Sequence, residues 1–402
     1  MKPRLLVFLG RYLPGFKSGG PVRTISSMVE LLAPHYDFFI VTLNSDSGNL
    51  KPYSTVITDQ WNQVGKAKVF YVSTISLSAL RQAVANVKPD VVYLNGYFSA
   101  SSMKALLLRR FGLLGRVPVV LATRGDLAPG ALGLKSLKKR TYIAVASKLG
   151  LYNRLLWQAS SSREEADTQR LISQNGVADS AIHVAPDLAC GYQAIAGERR
   201  KRSGHASFVT VSRIARMKNL PFTLDRLKDL RGQVTFDIFG PLEDKVLWAE
   251  CEQKIRELPP NIVVRYHGSM EPQQVLAELA AREFFILPTL GENYGHVIID
   301  GASAGCPVII SDRTQWRHLA QQGFGWDIPL DDPDQWRTVL QYCIDMDVGD
   351  YQRLSARAAE FGRTVMTSSA TLQANIGLFE RALVRTSPST PSNAAHAAKV
   401  GR

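Results

Sequence analysis

The sequence predicts an α/β protein built from two parallel, helix-flanked sheets. Three observations predict it. Short apolar runs alternate with helical patterns along nearly the whole chain. The same alternation starts afresh near the middle and repeats to the end. A chain of 402 residues also exceeds what one hydrophobic core usually fills and suggests two domains.

In the first half the candidate strands are 5–9, 38–43, 69–72, 91–94, 119–121 and 182–185, interleaved with helical stretches 22–32, 78–87, 99–110, 137–149 and 163–173. The run 5–9 is too short for a signal peptide and reads as the first strand. In the second half the strands are 208–211, 234–238, 262–266, 284–287, 308–310 and 325–328. Their helices are expected at 221–230, 245–257, 272–281, 296–304 and 333–343, the last begun by Asp332 as cap and Pro333 in the first turn. This divides the chain into a first domain 1–190, a linker 191–204, a second domain 205–350, C-terminal helices 351–385 and a tail 386–402. Residues 354–382 are the candidate for the last helix of that segment, and the Ser/Pro/Ala-rich tail is expected to be disordered. Glu198 to Arg202 is a basic run, read as a solvated linker or, more sharply, as a lipid or nucleic-acid contact.

Charge separates the halves. Residues 1–200 hold 25 Lys and Arg against 12 Asp and Glu, whereas residues 201–402 hold 23 of each. The whole excess of +13 lies in the first half and implies a polyanionic partner there. Cys190, Cys251, Cys306 and Cys343 form no CxxC pair, which argues against a zinc site or disulfide framework and fits a reducing compartment, the cytoplasm. The histidines show no HExxH spacing, and Asp345-Met-Asp347 reads as a solvated helix end, so no metal is expected. No run of about 18 uncharged apolar residues exists, so no transmembrane helix is expected.

The chemistry concentrates where strands end. Strand 284–287 runs into a polar turn with Glu292, Asn293, Tyr294 and Gly295, followed by a helix that opens with His296 and carries Asp300. Ligands of open α/β sheets bind at the carboxyl ends of parallel strands. A helix N-terminus there suits a diphosphate, and a carboxylate can accept hydrogen bonds from neutral hydroxyls. After strand 208–211, Arg213 and Lys218 stand five residues apart on one loop and can converge on the same diphosphate. After the first strand, Lys17-Ser-Gly19-Gly20-Pro21-Val-Arg23-Thr24 lets backbone approach a ligand, and it lacks the GxxxxGK[ST] pattern of an ATPase.

The spacing Glu292-x7-Asp300, with Pro288 before it and Ala304-Gly305-x-Pro307-Val308 after it, resembles the signature of the family 4 glycosyltransferases. The resemblance implies the GT-B fold, two Rossmann-like domains facing a central cleft, and retaining transfer from a nucleotide sugar without metal or other cofactor. It gives Glu292 a place beside the donor sugar and carries donor contact to Asn293, Tyr294, Gly295 and His296. It gives Asp300, where the family usually has Glu, the nucleotide ribose. Arg213 and Lys218 match the pair that stabilises the leaving nucleoside diphosphate. Gly19 and Gly20 match the glycine-rich loop facing the cleft, Gly240 a turn near the base, and Arg124 a basic residue facing the sugar. Arg124 is no base, since its pKa is too high. Asp126 is either an acceptor-side contact or a turn cap.

The expected partners are a UDP- or GDP-sugar and a glycan acceptor on a lipid-linked intermediate of surface polysaccharide. Residues 101–116 and 134–148 mix cations with apolar residues at helical spacing, which predicts peripheral contact with an anionic membrane. Nucleic acid is not an expected partner, because no reading motif is present. Epimerases and phosphorylases share this fold, and a degenerate membrane-bound scaffold is the non-enzymic alternative.

Overall fold

The computed structural model describes residues 1–49, 51–133, 136–190 and 201–385. Its first unit runs β1 (Arg4–Phe8), α1 (Gly20–Leu32), β2 (Asp37–Leu43), β3 (Trp61–Val64), β4 (Ala67–Val72), α2 (Leu77–Val87), β5 (Val91–Asn95), α3 (Ala100–Arg110), β6 (Val119–Ala122), α4 (Pro129–Gly133), α5 (Ser136–Lys148), β7 (Leu156–Ala159), α6 (Ser162–Gln174) and β8 (Ala181–Val184). The second runs β9 (His205–Val211), a 3-10 turn (Arg216–Lys218), α7 (Leu220–Leu227), β10 (Gln233–Phe239), α8 (Lys245–Arg256), β11 (Ile262–Tyr266), α9 (Pro272–Ala280), β12 (Phe284–Leu287), α10 (His296–Ser303), β13 (Val308–Ser311), α11 (Leu319–Gln322), β14 (Gly325–Ile328) and α12 (Pro333–Asp345), and is followed by α13 (Val348–Met366) and α14 (Ser369–Val384).

The first sheet has the order β3-β4-β2-β1-β5-β6-β7-β8 and the second β11-β10-β9-β12-β13-β14. All pairings are parallel except β3 with β4. The central strands are apolar on both faces because helices cover both; β5, β6 and β12 are buried at every residue. In each sheet the chain starts in the middle and winds outward in both directions. The reversal falls between β1 and β5 in the first sheet and between β9 and β12 in the second. Loops leaving adjacent strands diverge there and open a crevice.

Four clusters form the main core, one on each face of each sheet. The last helices divide their attachment. Ala358 of α13 lies in the core of the second sheet, and Gly362 meets the backbone of Ser303 so closely that an added Cβ would lie 2.4 Å from its nitrogen. By contrast, α14 packs on the first sheet, where the Phe379 ring meets Tyr36 and Tyr93 in tilted contacts and Asn375 Nδ2 donates to Pro186 O at 2.8 Å.

Several sequence expectations change. The candidate last helix over 354–382 is divided between two helices, because Ser368 accepts from Thr371 N at 3.2 Å and caps a new start. Strands β3 and β7 were missed: β3 is a short, half-buried edge, and β7 contains Gln158, a polar residue buried by bonds to Tyr93 and Ala185 O. The short helices α4 and α11 were also missed. Lys201 is not part of a solvated run. It is 5% exposed, and its ammonium donates to the carbonyls of Arg202, His205 and Ile344. The rest of the linker, 191–200, and the tail 386–402 lie outside the described residues.

Candidate active site at the junction of the two sheets

The crevice of the second sheet brings together the two loops that carry the predicted chemistry. The β9 loop, with Arg213 and Lys218, is bonded to the β12 loop through Met217 O, which accepts from Leu290 N at 2.8 Å and Thr289 Oγ1 at 2.9 Å. Lys218 then reaches Glu292 and donates to its Oε2; the two side chains are 16% and 18% exposed. Arg213 points elsewhere and pairs with Glu243 near the surface. Gly240 holds this arrangement from the β10 side. At φ +140° it lies so close to Ser212 that an added Cβ would be 1.8 Å from its carbonyl oxygen.

Gly295 starts α10 from a left-handed conformation, φ +75°. Tyr294 is buried behind it, with its carbonyl accepting from Trp316 Nε1 at 2.6 Å. Asn293 faces the first domain: its side-chain amide lies 3.1 Å from Ser160 Oγ and packs against Gly125. The predicted donor turn therefore lies at the junction of the domains.

From the first domain, α1 meets α10 through two consecutive residues. Arg23 donates to both carboxylate oxygens of Asp300, and Thr24 Oγ1 lies 2.8 Å from His296 Nε2. His296 and Asp300 are one helical turn apart and so present one face. Gly19, φ +62°, caps α1, and Asp46 fixes the loop before it by accepting from Phe16 N and Lys17 N. An added Cβ at Gly19 or Gly20 would meet nothing within 4 Å, so the glycine turn itself is open.

The polar chain continues inward. Thr24 Oγ1 donates to Asp187 Oδ2 at 3.0 Å. A hydroxyl has one proton, so His296 must donate to Thr24 from Nε2. Its Nδ1 is then an acceptor, and it meets no partner among the described residues. Burial, and after it the charges of Arg23 and Arg124, holds the imidazole well below its ordinary range, so it is neutral. Arg124 pairs with Asp187 and also bonds Asn95 Oδ1 at 2.7 Å and the Tyr93 hydroxyl. Its side chain is 9% exposed, so it is a buried node rather than an open cation facing a sugar. Burial raises Asp187, and Arg124 opposes that shift. Asp126 accepts from Phe98 N at 3.2 Å, the turn-cap role.

Glu164 supports the same loop from below. It is 5% exposed and accepts from Thr123 Oγ1, Gly125 N, Ser160 N and Ser160 Oγ, all within 2.7 Å. Arg23, Thr24, Ser160, Glu164 and Asp187 were not singled out from the sequence. Arg23 and Thr24 directly follow the glycine turn, and Asp187 follows a strand end, so position was an available signal. Glu164 stands three residues after Ser161 and reads as an ordinary helix start. No cluster of His, Cys, Asp and Glu suited to a metal occurs among the described residues. An open groove of about 460 Å³ lined by Arg4, Phe39, Trp61 and Lys68 lies at the β3 edge, away from these residues.

Comparison with known proteins agrees with this arrangement. Residues 205–345 match the family described as glycosyl transferases group 1. A search of curated protein sequences found no match. Among solved structures, the chain is similar to sucrose-phosphate synthase from Thermosynechococcus elongatus, at 14% identity and TM-score 0.73, over 96% of this chain and 100% of that one. It is similar to HepE from Anabaena in complex with UDP and glucose, at 17% identity and TM-score 0.65, over 94% and 100%. It is also similar to WaaG, a glycosyltransferase involved in lipopolysaccharide biosynthesis, at 14% identity and TM-score 0.64, over 96% and 100%. The family match falls on the domain that carries Arg213, Lys218, Glu292 and Asp300, and the two-sheet architecture shared end to end with these structures gives the chain the fold of the GT-B glycosyltransferases.

Proposed function

We propose that this protein transfers a sugar from a nucleoside-diphosphate sugar to a hydroxyl of a glycan acceptor, with retention of anomeric configuration and without a metal. The observation that carries this reading is the pairing of Lys218 with Glu292 at the crevice of the second sheet, beside the residues that contact the first domain. A cation and a carboxylate held together there can separate onto a donor: Lys218 and Arg213 to the diphosphate, Glu292 to the sugar hydroxyls. The donor phosphates replace the carboxylates that now neutralise the two cations. In the reaction the bond from the anomeric carbon to the phosphate oxygen breaks. A bond to the acceptor oxygen forms on the same face, and the acceptor proton passes to the leaving phosphate. The cations stabilise the charge that develops on that phosphate, so no protein base is required. UDP is the favoured nucleotide, GDP the other candidate; the similar HepE structures hold UDP and UDP-glucose.

The test is titration with UDP-, GDP-, ADP- and dTDP-sugars in EDTA, beside an Arg213→Ala/Lys218→Ala variant. Binding of one donor, lost in the variant, supports the reading. No binding by folded protein overturns it in favour of a degenerate scaffold.

A lipid-linked acceptor of surface polysaccharide, met by a cytoplasmic enzyme peripheral to the membrane, is the further part of this proposal. Phe111 is 73% exposed, Val145 52% and Leu149 50%, among Arg110, Arg116 and Lys148. Arg110 Nε donates to Leu149 O at 2.7 Å and ties the two segments into one surface. Apolar side chains ringed by cations suit an anionic bilayer. No helix among the described residues is long and apolar enough to cross a membrane. A Phe111→Ser/Leu149→Ser variant should float less with phosphatidylglycerol vesicles; unchanged flotation removes this part of the proposal.

A further inference from the structure

Asp300 is 1% exposed, and both of its oxygens accept from the guanidinium of Arg23. The resemblance would have this carboxylate bind a ribose. Yet it is covered by a cation from the other domain, and the Asp side chain is one methylene shorter than the usual Glu. The more exposed partner is Arg23, at 29%. It lies in the first turn of α1, directly after the open Gly19-Gly20 turn.

We propose that Asp300 is a positioning residue that holds Arg23 in the cleft, and that Arg23 is the group that meets the donor, at its diphosphate. This rests on the nucleotide-sugar reading above. A carboxylate buried without a partner is strongly disfavoured, so Asp300 needs the cation, and its two oxygens fix the plane of the fork. The adjacent Thr24–His296 contact fixes the α1 backbone against the same face of α10. Arg23 is thereby aimed by two contacts one turn apart. An Arg–Asp pair carries no net charge, so its contribution is directional hydrogen bonding rather than long-range attraction. Arg213 and Lys218 come from the second domain, and Arg23 comes from the first. A diphosphate that engages all three joins the domains across the cleft.

The two roles for Asp300 separate by ligand. The probes are whichever of UDP, GDP or ADP the wild-type protein binds, and its 2′,3′-dideoxy analogue, which lacks the ribose hydroxyls. Arg23→Ala should weaken the nucleoside diphosphate about tenfold or more, the loss of a charge-assisted contact. Arg23→Lys should fall between it and wild type, since charge remains and the fork does not. Asp300→Asn should weaken both ligands by the same factor and add little to Arg23→Ala. If Asp300→Asn instead abolishes the preference for the diphosphate over its dideoxy analogue, Asp300 binds the ribose and the proposal is wrong. Unchanged affinity in Arg23→Ala also overturns it. Should Asp300→Asn not fold, the two Arg23 variants decide: lowered affinity with an unchanged ribose preference supports the proposal. If folded wild-type protein binds none of the diphosphates, the nucleotide-sugar reading itself fails, and this inference falls with it.

Discussion

Lys218 donates to Glu292, so the cation and the carboxylate proposed to act on the donor neutralise each other in this structure. Both are mostly buried, whereas the Arg213–Glu243 pair is 45% and 51% exposed. Exposed pairs contribute little to stability, about 0–1 kcal/mol. Arg213→Ala should therefore leave the melting temperature nearly unchanged while weakening donor binding. Lys218→Ala should lower kcat roughly a hundredfold or more, the usual scale for losing a preorganised charge at a leaving group. Steady-state kinetics with the bound donor and thermal melts check both; wild-type kcat in Lys218→Ala would remove it from the chemistry.

Glu164 shows how the cleft loop is supported. It accepts four hydrogen bonds from Thr123, Gly125 and Ser160 in a buried setting. Glu164→Ala strands those donors and should cost about 2–4 kcal/mol in denaturant melts. A loss below about 0.5 kcal/mol would mean the loop satisfies its donors another way.

His296 predicts an acid-side instability. Its imidazole is held well below the ordinary value of 6.5, first by burial and then by Arg23 and Arg124. Between the lowered value and 6.5 the unfolded chain binds more protons than the folded one. The stability this residue supports is thus complete above pH 6.5 and falls as pH drops through that window. Burial raises Asp187 and Asp300 above 3.8, and their effect is opposite: complete below that value and lost as pH rises through their folded values. His296→Gln isolates the histidine. The fall in melting temperature from about pH 7 to about pH 5 should be smaller in the variant than in wild type. Equal falls would assign the effect to another group.

Gly240 lies where a side chain cannot. An added Cβ would be 1.8 Å from Ser212 O, on the strand end that leads into Arg213. Gly240→Ala should cost about 2–3 kcal/mol and displace the Arg213 loop, so stability and donor affinity fall together. Retained donor affinity in a destabilised variant would show the loop to be independent of this contact.

The sequence made most of the second domain legible, because its strands are apolar on both faces and its loops carry charged residues directly after them. Residues 284–287 were expected as a strand and form β12, and Glu292 follows it in the loop as its position implied. Legibility ended where a polar residue was buried or a strand was short. Gln158 disguised β7, and the four-residue Trp61–Val64, with two adjacent polar residues and no buried position, disguised β3. Lys201, in a run of five charges, looked solvated because nothing local shows the three carbonyls that enclose it.

What the sequence determined by itself is the local chemistry: which strand ends carry cations, carboxylates and glycines, and at what spacing. Hydrophobic periodicity and backbone freedom are local properties, readable along the chain. Only the tertiary structure decided the partners. Arg23 and Asp300 are separated by 277 positions, and Thr24 and His296 by 272. Whether a charged side chain is open to a ligand or already paired depends on which elements the fold packs together, and burial makes that pairing nearly obligatory. The sequence pointed to a charged, glycine-bounded cleft; the packing of α1 against α10 determined which of its groups are covered and which remain at its surface.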